Sequence, residues 1–246
     1  MDRALYIAMT GATQALKAQT VNSHNLANAS TVGFKAELAA QAAVEVEGGG
    51  LPTRVNVQLN GSGWDARAGA IQQTGRDLDI ALGNDRWLAV QAPDGSEAYT
   101  RAGDLQIDVN GQLRTSAGHA VMGDGGPVSV PQNASLLIGA DGTLSIVPLG
   151  QGAETTATLG RLRIVEGGPN ELERGADGLM RARPGIAMNP AAGNVLQAGA
   201  LESSNVNLPE AMVRMIELAR SFEMQSKLMR TAEDNAQAAT SLLRMG

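Results

Sequence analysis

Hydrophobic residues recur in alternating steps of three and four along the last part of the chain, from Leu208 to Leu243. After Leu208 the row contains Ala211, Met215, Leu218, Phe222, Gln225, Met229, Ala232, Ala236, Ala239 and Leu243. Only Gln225 in this row is polar, and a period of about 3.5 residues is typical of a coiled-coil seam. Because neither Gly nor Pro follows Pro209 in this stretch, the pattern predicts one long helix, with Asn207 as its N-cap.

A second, weaker seam lies at the start of the chain. The same spacing from Asp2 picks out Leu5, Met9, Ala12, Leu16, Gln19, Ser23 and Leu26. Turn-forming residues from Asn28 to Gly33 end this pattern, and Asn25 and Asn28 suit the C-terminal end of a helix. We therefore predict two helical arms that pair as a coiled coil with the chain termini together. The alternative is that both amphipathic helices pack on the central domain.

Both seams are rich in Ala and Met and poor in Leu and Ile. Burying an Ala contributes far less than the ~1.5–3 kcal/mol of a large aliphatic side chain. The arms are therefore expected to be unstable alone and to become ordered when several of them pack together.

Between the arms, the pattern changes to short alternating runs. Leu105, Ile107 and Val109 alternate with polar residues and lead into Asn110-Gly111, a hairpin signal. Two further hairpin turns are expected at Asp94-Gly95 and Asp141-Gly142. Short strands joined by Gly-rich turns predict a mainly antiparallel β domain, and the fold class is α+β.

These changes of pattern divide the chain into four parts. They are an N-terminal arm with its following loop, a connector, a central β domain and a C-terminal arm, at residues 1–35, 36–70, 71–200 and 201–246. Within the connector we expect a short helix over Ala36 to Val46, a flexible joint at Gly48 to Gly50, and a strand from Arg54 to Leu59.

The composition and charge of the chain argue against several classes of function. The net charge of −6 and the pI of about 5.0 argue against a nucleic-acid partner, because there is no basic surplus to neutralise phosphates. The chain has no Cys, which excludes disulfides, thiolate metal sites and a cysteine nucleophile. The N-terminus lacks the pattern of a cleavable secretory signal, and no apolar run is long enough to predict a membrane span.

The sequence predicts no catalytic site, no cofactor site and no metal site. His24 and His119 are the only histidines and lie far apart, so no two-His metal spacing exists. A calcium loop around Gly111 lacks its acidic first ligand and its bidentate Glu. Asp77 and Asp79, two residues apart, suit a turn or strand edge better than acid–base catalysis, although a hydrolase using them remains an alternative.

Several segments in order along the chain resemble the bacterial flagellar axial proteins of the rod and hook family. These segments are M-D-R-A-L-Y at 1–6, N-L-A-N at 25–28, T-V-G-F-K at 31–35, L-D-I-A at 78–81, Y-T-R-A-G at 99–103, N-G-Q-L at 110–113, G-A-L-E-S-S-N-V at 199–206 and R-S-F-E at 220–223. The opening residues resemble the proximal-rod members more than the distal-rod members. Asn84 to Leu88 departs from the family pattern, which has a Gly and aromatic residues there, and Leu105 stands where Phe is common.

The resemblance implies a non-enzymatic structural subunit of the flagellar basal-body proximal rod, in the periplasmic drive shaft that transmits torque. It implies other rod subunits and the flagellar type III export apparatus as partners, export without a cleaved signal, and no cofactor. Terminal helices in this family form the inner coiled-coil layer of a hollow assembly, with head-to-tail contacts between subunits. The alternatives are a distal-rod protein of the same family and a β-rich binding module with a coiled-coil oligomerisation tail.

The predicted assembly interface follows from the two seams and the asparagines beside the first. It comprises Leu5, Met9, Ala12, Leu16, Asn25, Leu26, Asn28, Ala211, Met215, Leu218, Phe222, Met229, Ala232, Ala236 and Leu243.

Overall fold

Long helices stand at both ends of the described chain. The computed structural model describes residues 2–45, 55–148 and 156–244, with α1 at Asp2–Ala27 and α2 at Leu208–Arg244. Both predicted helical segments are confirmed. The Asn207 side-chain oxygen accepts a hydrogen bond from the backbone N–H of Glu210 at 3.3 Å, so Asn207 caps α2.

Between the helices, the described residues form nineteen strands. The first ten are β1 Glu37–Glu45, β2 Val55–Trp64, β3 Ile71–Gln73, β4 Ile80–Leu82, β5 Arg86–Gln91, β6 Glu97–Thr100, β7 Leu105–Ile107, β8 Leu113–Thr115, β9 Ala120–Gly123 and β10 Gly126–Pro127. The others are β11 Asn133–Ile138, β12 Thr143–Pro148, β13 Ala157–Arg161, β14 Ile164–Glu166, β15 Leu172–Arg174, β16 Met180–Ala182, β17 Asn189–Pro190, β18 Leu196–Ala198 and β19 Ala200–Glu202.

The chain separates into two compact units. The helical unit contains α1, α2 and most of the β1–β2 hairpin, within Met1–Asn28, Glu37–Gly63 and Val206–Gly246. The β unit contains Ala29–Ala36 and Trp64–Asn205. Compared with the predicted boundaries, the loop after α1 and the strand before α2 are grouped with the β unit.

In the helical unit, α1 and α2 pack against each other and run antiparallel. Gly11 lies opposite Gln225, because a Cβ atom at Gly11 would be 3.0 Å from the Gln225 amide. Eleven residues further along α1, the Asn22 side-chain amide donates to the carbonyl of Ala211 at 2.7 Å. Residue numbers thus rise along α1 as they fall along α2.

The short helix expected over residues 36–46 is wrong. Glu37–Glu45 forms β1, which pairs with β2 and packs against α1. Alanine favours helix, but pairing and packing override this preference. The expected strand after the joint is present as β2, while the joint at Gly48 to Gly50 lies outside the described residues.

The β unit is mainly antiparallel, which confirms the α+β class. Its largest sheet has ten strands, seven of them in the order β15-β16-β6-β5-β9-β8-β7, with β10, β14 and β17 paired at its side. A three-stranded sheet β11-β12-β13 and the pairs β18-β4 and β19-β3 complete it. All three predicted hairpin turns are confirmed, at Asp94-Gly95 between β5 and β6, Asn110-Gly111 between β7 and β8, and Asp141-Gly142 between β11 and β12.

Large aliphatic side chains fill the interior of the β unit. Ile80, Leu88, Leu105 and Leu113 are fully buried in one continuous cluster. A second cluster is built around Trp64 and Trp87, whose rings meet edge to face with centroids 5.2 Å apart. Full burial of a Leu or Ile is worth ~1.5–3 kcal/mol, so this core supplies the hydrophobic stabilisation that the sequence lacks in its arms.

Candidate assembly site

Alanines form most of the face of α1 that is buried within the helical unit, and Gln14 is buried beside them. Ala8, Ala12, Ala15 and Ala18 are each 5–7% exposed, and Asn22 continues the same side of the helix. Small side chains let the two helix backbones approach closely. On its α1 side, the pairing of α1 with α2 therefore buries little large apolar surface.

The larger apolar residues of α1 lie beside this face and are exposed. Leu5 is 37% exposed, and Met9 and Leu16 are each 48% exposed. Met9 directly follows buried Ala8, and Leu16 directly follows buried Ala15, so this exposed row is rotated about 100° from the buried face. Of the predicted α1 seam, Ala12 is buried, Leu26 is half-buried, and the other large residues do not face α2.

On α2, the predicted seam is the less exposed side of the helix. Ala211 is buried, and the half-buried positions are Met215, Leu218, Phe222, Met229, Ala232 and Ala236. The side chain of Leu243 lies outside the described part of the chain. Elsewhere on α2, apolar residues that the seam did not include are exposed: Met212, Val213, Ile216, Met224 and Leu228.

The asparagines at the end of α1 make contacts inside the helical unit. Asn25 donates to the carbonyl of Glu37 and accepts from its N–H, both at 2.8 Å. This pair of bonds fixes the start of β1 against α1. Asn28 donates its side-chain amide to the carbonyl of His24 at 2.9 Å, where α1 ends.

In the β unit, a buried group of three charged residues joins both chain ends to the middle of the sequence. We call Lys35, Arg101 and Glu202 the end junction. The two Glu202 oxygens accept from Lys35 Nζ at 2.9 Å and from Arg101 Nε at 2.7 Å. All three side chains are only 2–4% exposed.

Every charged group of the end junction has further hydrogen bonds. Glu202 also accepts from the N–H of Gly69 at 2.8 Å, and Lys35 donates to the carbonyl of Arg67 at 2.7 Å. Arg101 donates to three backbone carbonyls, those of Leu82, Gly83 and Arg86. A buried ion pair is tolerated when such bonds replace water, so the arrangement holds these segments in one geometry.

Burial and neighbouring charges both shift the pKa values of Glu202 and Lys35. Burial alone raises the pKa of Glu202, but Arg101, Lys35 and the Gly69 N–H together lower it below its ordinary value. Burial lowers the pKa of Lys35, and the nearby charge of Arg101 adds to that effect against the attraction of Glu202. Glu202 is thus held as a carboxylate between two cations.

Backbone contacts around Gly33 and Asn205 complete the junction. Gly33 has a φ of +67°, and a Cβ atom there would lie 2.3 Å from the Arg101 carbonyl, so only glycine fits. Asn205 accepts from the N–H of Ala36 at 2.7 Å and donates to the carbonyls of Asp65 and Arg67. Three of the four places where the chain passes between units are therefore tied together within the β unit.

All three residues of the end junction lie in segments that resemble the rod and hook family, but no sequence pattern predicts that they meet. No pattern in the sequence alone pointed to this role, but the geometry of β19 accounts for the burial of Glu202. This residue lies two positions after Ala200 in β19, and side chains two apart on a strand share a face. Because Ala200 is fully buried, the alternation places Glu202 on the buried face, where a carboxylate requires cationic partners.

The carboxylates weighed for catalysis have structural contacts. Buried Asp79 accepts from the Thr74 hydroxyl and pairs with Arg76, each at 2.7 Å, while Asp77 is exposed. Within residues 2–45, 55–148 and 156–244, no three His, Cys, Asp or Glu side chains are grouped as metal ligands would be. Neither helix, over its described length, is long and apolar enough to cross a membrane.

Three known protein families match segments at both ends and in the middle of this chain. Residues 5–35 match the family described as flagella basal body rod protein, 81–146 the flagellar hook protein FlgE/F/G D1 domain, and 197–242 the flagellar basal body rod FlgEFG protein C-terminal family. The flagellar basal-body rod protein FlgF of Escherichia coli is 48% identical to this chain over the full length of both. The chain belongs to the flagellar basal-body rod protein family.

Other relatives agree with this assignment. FlgF of Salmonella typhimurium is 45% identical over the full length of both chains. FlgG of Bacillus subtilis is 31% identical, with 99% of this chain and 100% of that protein covered. The predicted resemblance to the proximal-rod members and the predicted role as a structural subunit of the basal-body rod are confirmed.

Proposed function

We propose that this rod protein polymerises head to tail through its terminal helices, which pair as a coiled coil within the torque-transmitting shaft. The observation that supports this most strongly is the exposed row of Leu5, Met9 and Leu16 on α1. The helix turns alanines towards α2 and leaves its larger apolar residues facing outwards. This is the reverse of the arrangement expected for a helix stabilised within one subunit.

Subunit contacts give the exposed row a physical role. Burying the exposed half of a side chain such as Leu16 against a neighbour contributes about half of the ~1.5–3 kcal/mol of full burial, which the Ala-rich face cannot supply. Repeated along a shaft, these contacts add stability to the arms wherever another subunit is present. Head-to-tail contacts, unlike two-fold contacts, extend such an assembly indefinitely.

The same arms fit export by the flagellar type III apparatus, without a cleaved signal, to a rod in the periplasm. A chain that passes through a narrow channel has to cross it unfolded or partly folded. Helices that depend on neighbours for stability resist unfolding less than a closed core does. We propose that other rod subunits are the partners and that the role involves no catalysis.

The test is a charge placed in the exposed row. Leu16→Asp puts a carboxylate where a neighbour is proposed to bury apolar surface, and we expect its incorporation into purified hook–basal bodies to fall at least about tenfold, equivalent to ~1.4 kcal/mol. The control is Lys17→Asp, which changes the charge by more but lies about 100° further around α1. It should incorporate normally.

Normal rods and motility with Leu16→Asp would overturn the proposed role of the exposed row. Equal loss with both variants would also contradict it, because charge rather than position would then decide. Circular dichroism of both purified variants checks that α1 and α2 still form, since neither position faces α2.

A further inference from the structure

The last ten residues of the β unit, 196–205, form a segment that we call the strap. It contains β18 and β19, which are joined by Gly199. β18 pairs with β4 and β19 pairs with β3, each as a two-stranded sheet separate from the ten-stranded one. The strap is therefore attached to the β unit by two short ladders of three residue pairs each.

Few apolar contacts keep the strap closed. Its buried side chains are Leu196, Ala200 and Glu202, so one large apolar side chain, one small one and one charged one face the interior. In the ten-stranded sheet, β5 alone has four consecutive buried residues, from Trp87 to Val90. Because apolar burial is the main term that holds a segment in place, the strap should open at a lower free energy than this sheet.

The two strands beneath the strap differ in what else holds them. All three residues of β3 are exposed, and its partner strand is β19. β4 is buried, and the N–H of its Ile80 donates to the carbonyl of Gly103, outside the strap, at 2.9 Å. Beside it, Asp79 forms a bridge with Asp104. β4 therefore stays connected to the core without the strap, so the core has no need to open with it.

Polar groups attach the strap at its C-terminal end. The Glu202 carboxylate completes the end junction with Lys35 and Arg101, and the Glu202 backbone carbonyl accepts from the N–H of Gly33 at 2.8 Å. A buried ion pair contributes little net stability compared with apolar side chains, because pairing mainly offsets lost hydration. When the strap opens, water can solvate these charges. The end junction therefore defines the closed position and still permits opening.

We propose that the strap opens and closes as one unit while the ten-stranded sheet stays folded, with the end junction as its latch. Opening frees the ten residues that precede α2, ~33 Å of extended chain. It also releases the Gly33 N–H, a few residues after α1 ends. The connections to both helices lengthen together, so the arms can move without loss of the β core. The proposal concerns the single subunit and is tested before any assembly.

Hydrogen exchange of the purified full-length protein, resolved by NMR, measures the opening. Two amides report on the strap: Thr74 N–H donates to the Gly199 carbonyl at 2.9 Å, and Ser203 N–H donates across the same ladder at 2.8 Å. Ala89 N–H in β5, bonded at 2.9 Å, reports on the ten-stranded sheet. The strap amides should exchange with similar protection, at least tenfold faster than Ala89 and with a weaker dependence on urea, because less surface is exposed. Equal rates and equal urea dependence at all three would overturn the proposal.

A cavity in the core separates local opening from global unfolding. Val165 is 1% exposed and belongs to the cluster around the two tryptophans, whose members lie outside the strap. Val165→Ala destabilises the closed and strap-open forms alike. Exchange at Ala89 should therefore rise at least about tenfold, while exchange at Thr74 and Ser203 stays unchanged. Equal acceleration at all three amides would mean that the strap opens only with the whole unit.

The latch is tested with Glu202→Gln, which keeps the shape of the side chain but removes its charge from the end junction. Exchange at Thr74 and Ser203 should rise at least about tenfold. The matched control Glu173→Gln, at an exposed carboxylate on β15, should leave it unchanged. Asn205→Ala removes a second polar attachment of the strap and should also accelerate exchange. Unchanged exchange in both strap variants, or equal acceleration by Glu173→Gln, would contradict the latch.

Discussion

The two units of this rod protein bury different kinds of residue. The β unit encloses Leu, Ile and Val in a continuous core and surrounds a buried group of three charges with hydrogen bonds. The helical unit buries alanines, Gln14 and Asn22 on α1 and leaves Leu5, Met9 and Leu16 exposed. The β unit buries its large apolar side chains and pairs its buried charges. The helical unit leaves large apolar side chains exposed, where a neighbouring subunit can cover them.

This difference separates folding from assembly. A β unit with a closed core and a hydrogen-bonded end junction has what it needs to fold as a single subunit. The helical unit gains less from its own contacts, so its stability should increase when other subunits pack against it. The end junction links the two roles, because it fixes within the β unit the segments that lead to both helices.

The largest expected effect on the β unit comes from breaking the end junction. Glu202→Ala leaves Lys35 and Arg101 buried without a carboxylate, and removing one partner of a buried pair costs ~3–5 kcal/mol. Both tryptophans belong to the β unit, and Arg101 lies 5.7 Å from the ring of Trp87. Urea unfolding followed by tryptophan fluorescence therefore measures the stability of this unit selectively.

The exposed carboxylate of Glu173 on β15 provides the control for this variant. Glu173→Ala should change the free energy of unfolding by less than ~0.5 kcal/mol, as most surface substitutions do. Similar curves for Glu202→Ala and Glu173→Ala would show that the end junction does not stabilise the β unit.

Leucine truncation sharpens the contrast between the units. Leu88→Ala opens a cavity in the core of the β unit and should cost ~2–5 kcal/mol. The same truncation at Leu16 should change the stability of the purified subunit by less than ~0.5 kcal/mol and act on rod assembly instead. Tryptophan fluorescence measures the unfolding of the β unit in Leu88→Ala, and circular dichroism measures the unfolding of the helices in Leu16→Ala. Strong destabilisation of the free subunit by Leu16→Ala would mean that the exposed row stabilises the subunit itself.

The sequence predicted the features that depend on local pattern. The 3.5-residue row identified α2 and its less exposed side, and the Asp-Gly and Asn-Gly pairs identified three hairpin turns. Gly95, Gly111 and Gly142 have positive φ angles, which other residues rarely adopt, so the signal of these glycines is strong even in one sequence.

Features that depend on pairing between distant segments were not predicted. Residues 37–45 have the composition of a helix but form β1, because β2 pairs with them. On α1, the seam was placed on Leu5, Met9 and Leu16, since hydrophobicity alone favours large residues over the alanines that face α2. The end junction joins positions 35, 101 and 202, a separation that no local pattern spans.

The smallest expected effect is a pH dependence that originates at Glu202. Its pKa in the folded protein lies below the ordinary value of 4.5, so between the two values the unfolded chain binds more protons than the folded one. The stabilisation from Glu202 is therefore complete above about pH 4.5 and is lost as the pH falls towards the folded-state pKa. Glu202→Gln removes this titration, so the stability difference between wild type and variant should shrink on acidification.

Comparing the two proteins at each pH removes the other acid-sensitive groups. The pKa values of Asp65, Asp94, Asp108, Asp141 and Asp177 are also lowered, through hydrogen bonds to neighbouring side chains and N–H groups, but these residues are present in both proteins. The lowered pKa of Lys35 acts on the alkaline side, where stability rises with pH below 10.5. A stability difference that stays constant from neutral pH to about pH 3 would mean that Glu202 titrates alike in the folded and unfolded chain, and the end junction would then hold its geometry without favouring the carboxylate.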